Sequence, residues 1–432
     1  MKSSFQPRCF TAGMLLCLSL FSIPFLHAAS LPVAQPAQVG FSAERLDRLS
    51  RAMQGYVDQG RVAGLVTLVL RDGQMVYEKA FGKIDIQRNQ PMPVNAIFRI
   101  ASQTKAITST AIMMLQEEGK LLLDDPVAKY IPEFAAARVA MPLETKNSPN
   151  YYTIPLKRAI TLRDLLTHTA GISYGTGPAK AEWQAAGLNT WFLADKDMTI
   201  GQVIKKLATL PLDAQPGEKF IYGYNTDILG YVVECASGMS LADYIQRNIT
   251  SPLGMNDTAF FLPKDKLDRF TSVYGIDDKG VLTLQEDRSN NFYMQGPQKC
   301  YAGGAGLLST ARDYATFLLM LQQGGQLNGV RLLSPKSVQL MTADHVGDLY
   351  GAQGFGLGFW ITDRLGRNGQ LGTAGAYGWG GAYHTVYWVD PQEKLVVVLM
   401  TQLLPATNSD LHSKFRALVY QAMVDSYSAA AY

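Results

Sequence analysis

Phe98-Arg99-Ile100-Ala101-Ser102-Gln103-Thr104-Lys105 is the stretch on which the reading of this chain turns. It holds the chain's only Ser-x-x-Lys, placed where a helical pattern begins. Three residues apart on a helix, the two side chains fall on one face, so an ammonium can reach the hydroxyl. The helix N-terminus also favours negative charge developing at the serine. Alone the pattern carries little weight, because average composition supplies about one in a chain of this length. The plain alternative is a capped surface helix, and context decides between them.

Outward from Ser102 the helical pattern continues through Ile107, Ala111, Met114, Leu115 and Glu118 and stops near Gly119. Upstream, Ser42 caps a helix through Leu46, Leu49, Met53 and Tyr56, and residues 63–70 and 75–81 read as strands joined at Asp72-Gly73. From Gly119 to about residue 310 the signals are mostly helical, broken by loops at 146–155 and 173–178. Residues 354–362, 381–389 and 394–400 then read as strands, with Asp390-Pro391 between the last two, and residues 413–424 as a closing helix. The expected fold class is α/β (α+β). One sheet with flanking helices is assembled from both ends of the chain (30–100 and 312–432), and a mainly helical lobe (101–311) is inserted between them. A cleft between lobes is the natural place for a site.

The 432 residues, 47% hydrophobic, supply ample material for a core. Residues 1–29 have a secretory layout: basic Lys2 and Arg8, an apolar stretch from Met14 to Phe25, then His27-Ala28-Ala29-Ser30. The stretch is short of the ~20 residues a bilayer span needs, so an exported chain, periplasmic or secreted, without a stable membrane anchor is expected. Cys9 and Cys17 leave with this segment; Cys235 and Cys300 remain, and two free, buried thiols are expected rather than a disulfide. A formal charge of +3 with mixed signs offers no basic block for nucleic acid. No Walker loop and no G-x-G-x-x-G follows a strand, so no nucleotide cofactor is indicated, and the scattered histidines of the mature chain imply no metal.

Taken with Leu123-Asp124-Asp125-Pro126-Val127 and Leu165-Leu166-Thr167-His168-Thr169-Ala170-Gly171, the opening stretch resembles the class C β-lactamase and penicillin-binding-protein superfamily, and within it the family VIII carboxylesterases. The likeness runs over nearly the whole mature chain with its motifs in order. It implies a serine β-lactamase-like fold, with an antiparallel sheet, and an acyl-enzyme on Ser102. Tyr222-Gly223-Tyr224-Asn225-Thr226-Asp227-Ile228-Leu229-Gly230 is similar to the esterases' Tyr-Ser-x-x-x-Asp-Val-Leu-Gly, which assigns the catalytic tyrosine to Tyr222. The lactamase Tyr-x-Asn is absent, because Tyr224 stands where the asparagine would be. Gly378-Trp379-Gly380-Gly381-Ala382 resembles the esterases' Trp-Gly-Gly, found where lactamases have Lys-Thr-Gly. Replacing that lysine by indole removes a cation for a substrate carboxylate and offers an apolar face with one N–H. Residues 303–310 are also familiar from the superfamily and are expected to shape the cleft wall.

The resemblance therefore implies a serine carboxylesterase acting on short- to medium-chain esters, with Ser102 as nucleophile and Lys105 and Tyr222 handling protons. Free lysine and tyrosine both titrate near ~10, so one of the two must be perturbed, and they should titrate as a coupled pair. The backbone N–H groups of Ser102 and Ala382 would form the oxyanion hole, and Trp379, Gly380, Gly381, Tyr224 and Tyr301, with Tyr174, would line an apolar substrate pocket. A β-lactamase, a D-alanyl peptidase, an acyltransferase on the same residues and a catalytically silent relative are the rival readings. Gly171-Ile172-Ser173-Tyr174-Gly175 fits the G-x-S-x-G elbow of another hydrolase class, with His345, His384 or His412 as possible partners. The helical stretch before it and the Gly/Pro loop after it make Ser173 a loop residue instead.

Overall fold

Every residue of strand β1 (Gly64–Arg71) is buried, and its alternate side chains enter two different cores. The structure, a computed structural model, describes Met1, residues 31–143 and residues 151–427. The expected leader, apart from Met1, lies outside the described residues. Strands β2 (Gln74–Asp85) and β3 (Gln90–Pro91) follow β1; β4 (Gly354–Phe355), β5 (Trp360–Ile361), β6 (Tyr377–Gly381), β7 (Thr385–Asp390) and β8 (Leu395–Thr401) come from the other end of the chain. They form one antiparallel eight-stranded sheet in the order β4-β5-β6-β7-β8-β1-β2-β3. The mixed α/β fold with a large antiparallel sheet is thus as expected from the sequence.

The strand period of two explains the layering. Leu65 and Val69 of β1 and Val397 and Leu399 of β8 face helices α1 (Ala43–Asp58) and α5 (Leu411–Ala422), where Leu49, Met53, Phe415 and Val419 meet them. Val66, Leu68, Val396 and Val398 face the opposite core, shared with α2 (Thr104–Glu117), α3 (Asn225–Ser237) and α4 (Ala311–Gln322). Both faces are covered, so these strands are apolar along most of their length rather than alternating. Removing one such side chain, as in Leu68→Ala, would cost about 2–5 kcal/mol. The two ends of the chain are laced together: Ser42 N–H donates to Ala422 O (2.9 Å) and Val424 N–H to Gly40 O (2.9 Å).

Three expectations need correction. Residues 354–362 form two short strands rather than one, because Gly358 at φ +100° turns the chain between them. Residues 381–389 likewise span a hairpin: Gly381 ends β6, and His384, in the left-handed region at φ +66°, precedes β7. The inserted lobe carries two hairpins of its own, Arg138–Pro142 with Tyr151–Pro155 and Val273–Ile276 with Leu282–Glu286; the part of the expected 146–155 loop that is described is therefore strand.

Candidate active site

Helix α2 is buried along almost its whole circumference, as a helix without a polar face must be. Its entry is tight: Ala101, fully buried, sits at φ +40°, a left-handed conformation unusual outside glycine and typical of strained functional positions. A 3₁₀ turn over Ala101–Gln103 then delivers Ser102 to the wall of a cavity of about 490 Å³. Lys105, one turn on and 1% exposed, donates from Nζ to Ser102 Oγ (3.2 Å), Gly304 O (2.8 Å) and Tyr174 Oη (3.4 Å). Its ammonium lies 4.6 Å from the centre of the Tyr222 ring. Tyr222, three residues before α3, accepts a hydrogen bond from Trp379 Nε1 (3.1 Å).

Tyr222 is held from behind by the Thr-His-Thr segment. His168, wholly buried and at φ +56°, places its ring 4.6 Å from that of Tyr222 and accepts Ile221 N–H on its carbonyl (2.7 Å). Asn225 Nδ2 donates to Ile172 O and Ile221 O (both 3.2 Å), which fixes the amide orientation and makes the facing His168 Nδ1 (2.9 Å) an acceptor. Burial, and then the nearby Lys105 charge, holds the His168 imidazole well below the usual histidine range, so it is neutral. Tyr174 is pushed the other way, well above the usual phenol range, by burial and by Tyr222, Asp227 and Tyr224.

Ser102, Tyr222, Trp379, Gly380, Gly381 and Ala382 share the cavity wall. Gly381 is required there, because a Cβ would come within 2.4 Å of Ile100 O and of Thr385 Oγ1. Two expected lining residues do not reach the cavity. Tyr224 is fully buried, stacked on Trp183 with its hydroxyl on Thr190 O, and Tyr301 packs on Phe260 and Phe261. Tyr224 is a core aromatic and Tyr301 a partly buried one packed against the core, roles residue type alone does not distinguish from pocket lining. Ser173 is buried in a turn, its Oγ accepting Gly175 N–H (3.0 Å) and Thr176 N–H (3.1 Å). His345 is bonded to Leu340 O, and His384 and His412 stack on each other with centroids 3.9 Å apart. Cys300 is free and buried as expected, but Cys235 is free and exposed.

The cavity also has walls that sequence patterns do not reveal. Trp191 comes from the inserted lobe, Trp360 and Trp388 from the sheet, and His412 and Arg416 from one face of α5. The Arg416 guanidinium lies 4.9 Å from the Trp388 ring centre and 5.3 Å from that of Trp360, with Nε donating to Leu371 O (2.6 Å).

A serine hydroxyl bonded to a lysine amine, with a tyrosine on the same cavity wall and under a large antiparallel sheet, is the arrangement shared by the serine hydrolases and acyltransferases of this fold. The chain matches the Beta-lactamase family model over residues 49–421, and it belongs to that family. It is 34% identical to an uncharacterised protein of Mycobacterium tuberculosis, over 84% of this chain and 92% of that one. It is 30% identical to an Escherichia coli K12 protein provisionally described as a D-alanyl-D-alanine carboxypeptidase, over 90% of each. Among solved structures it is similar to EstCE1, a hydrolase with promiscuous acyltransferase activity, with TM-score 0.76 and 27% identity over 87% of this chain and 98% of that one.

Proposed function

We propose that the protein is an exported serine carboxylesterase of the family VIII kind, acting on short- to medium-chain esters. The observation that carries this reading is the aromatic lining of the cavity beside Ser102, where Trp191, Trp360 and Trp379 offer apolar faces to an acyl or alcohol group. Ser102 Oγ attacks the ester carbonyl while Lys105, the basic nitrogen in reach at 3.2 Å, takes its proton. The backbone N–H groups of Ser102 and Ala382 hold the oxyanion. As the C–O bond breaks, the Lys105–Tyr222 pair returns the proton to the departing alcohol. Water then attacks the acyl carbon by the same route in reverse and frees Ser102. An acceptor alcohol in place of water gives acyl transfer, and EstCE1 is a precedent in its own case.

A second reading, D-alanyl peptide or lactam hydrolysis, is favoured by one observation. The missing Lys-Thr-Gly lysine argued against substrates with a carboxylate, but Arg416 returns a cation to the cavity from the last helix. The deciding test compares p-nitrophenyl butyrate and octanoate with a chromogenic cephalosporin and a D-alanyl-D-alanine peptide, in wild type, Ser102→Ala, Lys105→Ala and Tyr222→Phe. Ester turnover is expected to dominate and to fall about 10²-fold or more in each variant. Preference for the peptide or the cephalosporin, lost in Arg416→Gln, would put the second reading in its place.

A further inference from the structure

Asp227, the third residue of α3, is completely buried. Its Oδ1 accepts Gly304 N–H (2.9 Å), and among the described residues its Oδ2 has no hydrogen-bond partner. The carbonyl of the same Gly304 accepts the Lys105 ammonium at 2.8 Å. One residue is therefore gripped by a carboxylate through its N–H and by the catalytic amine through its C=O. Only glycine permits this, since a Cβ at 304 would come within 2.4 Å of Asp227 Oδ2.

A buried carboxylate with an idle oxygen is a costly way to hold one N–H. Burial pushes the Asp227 carboxyl up to about 6, even though Lys105 and the Gly304 N–H pull it down. The other titratable groups that feel its charge are Tyr174, Tyr224 immediately before α3, and Cys300 on the segment leading to Gly304. All three are shifted upward, mainly by burial, and are neutral at pH 7, so they add nothing to the charge of Asp227, set across Gly304 from the Lys105 amine. An asparagine would accept the same N–H without the cost of the charge. The charge itself therefore needs a purpose.

We propose that Asp227 is a positioning residue for acyl transfer: it fixes the Gly304 carbonyl against Lys105 and supplies the negative charge that steadies the lysine as it takes the Ser102 proton. This rests on the reading of Ser102 and Lys105 as nucleophile and base. In that step the proton moves from Ser102 Oγ to Lys105 Nζ, and Asp227 exchanges none.

The test is Asp227→Asn and Gly304→Ala beside wild type and Ser102→Ala, read by kcat and KM on p-nitrophenyl butyrate and by Tm at pH 7.5 and pH 4. Asp227→Asn should lose about tenfold or more in kcat, the worth of one pK unit of charge stabilisation, with KM within about twofold. Its Tm should rise by a few degrees at pH 7.5. The gain should be mostly gone at pH 4, where the wild-type carboxyl is protonated when folded and about half protonated when unfolded. Gly304→Ala should lose kcat in the same way. Full kcat in either variant, or a fall of Tm together with kcat in Asp227→Asn at pH 7.5, overturns the proposal. Turnover surviving in Ser102→Ala instead removes the reading on which it rests.

Discussion

At the level of single residues, the indole of Trp379 has two duties that one substitution separates. Its ring lines the cavity, and its Nε1 donates to the Tyr222 oxygen. Trp379→Phe keeps most of the ring and deletes the donor, so kcat for p-nitrophenyl butyrate should fall about five- to tenfold, the worth of one hydrogen bond, while KM changes little. A larger rise in KM than fall in kcat would show that the ring matters and the donor does not. The Ser102, Lys105 and Trp379 positions were legible because local spacing and motif order carry them. Arg416, His412 and Trp191 were not, because only folding brings α5 and the inserted lobe to the same wall, and no pattern near them in the chain marks it. Tyr224 and Tyr301 do not line the cavity for the converse reason: they neighbour site residues in sequence, yet Tyr224 turns into the core and Tyr301 packs against it.

The β6–β7 hairpin shows the same division among elements. Gly378 and Gly380 are two residues apart on one face of β6, so the sequence treats them alike. A Cβ at 378 would meet Tyr387 O at 2.4 Å and Trp360 at 2.7 Å, whereas at 380 the nearest atom is Thr385 O at 3.0 Å, beside the cavity. Gly378→Ala should therefore destabilise the fold by about 2–3 kcal/mol in denaturant unfolding. Gly380→Ala should leave stability within about 1 kcal/mol and instead raise KM for the octanoate ester more than for the butyrate. Long apolar strands such as β1 and β8 were readable from composition. Residues 354–362 were readable as strand too, but not the break at Gly358 that divides β4 from β5, because a single left-handed glycine between two apolar stretches leaves the strand pattern on either side unchanged.

Across the whole molecule, acid stability is set by buried groups of opposite sign. Burial holds His168, His384 and His412 below their ordinary value, His384 at about 3, so they stay neutral when folded but take up protons below about pH 6.5 when unfolded. Each contributes stability that is complete above that pH and is lost below it at about 1.4 kcal/mol per pH unit. Asp227 and Asp313, raised by burial to about 6, work the other way between pH 6 and 4, taking up protons when folded that the unfolded chain does not. The two effects oppose each other, so unfolding free energy should change little around pH 7 and fall only gently from pH 6 to 4. The fall should steepen below pH 4, as carboxylates such as Asp287, held at about 2, are protonated. Urea titrations at four pH values check this, and in Asp227→Asn the fall from pH 6 to 4 should steepen. The order of the sheet also has a consequence in time. One edge of β1 is completed by β2 almost at once, but its other edge is reserved for β8, more than three hundred residues later. At roughly 5–20 residues per second, a ribosome needs on the order of 15–65 s to supply it. Throughout that interval the nascent chain presents a bare, largely apolar strand edge, so its yield in the cell depends on whatever shields residues 64–71 until synthesis is complete.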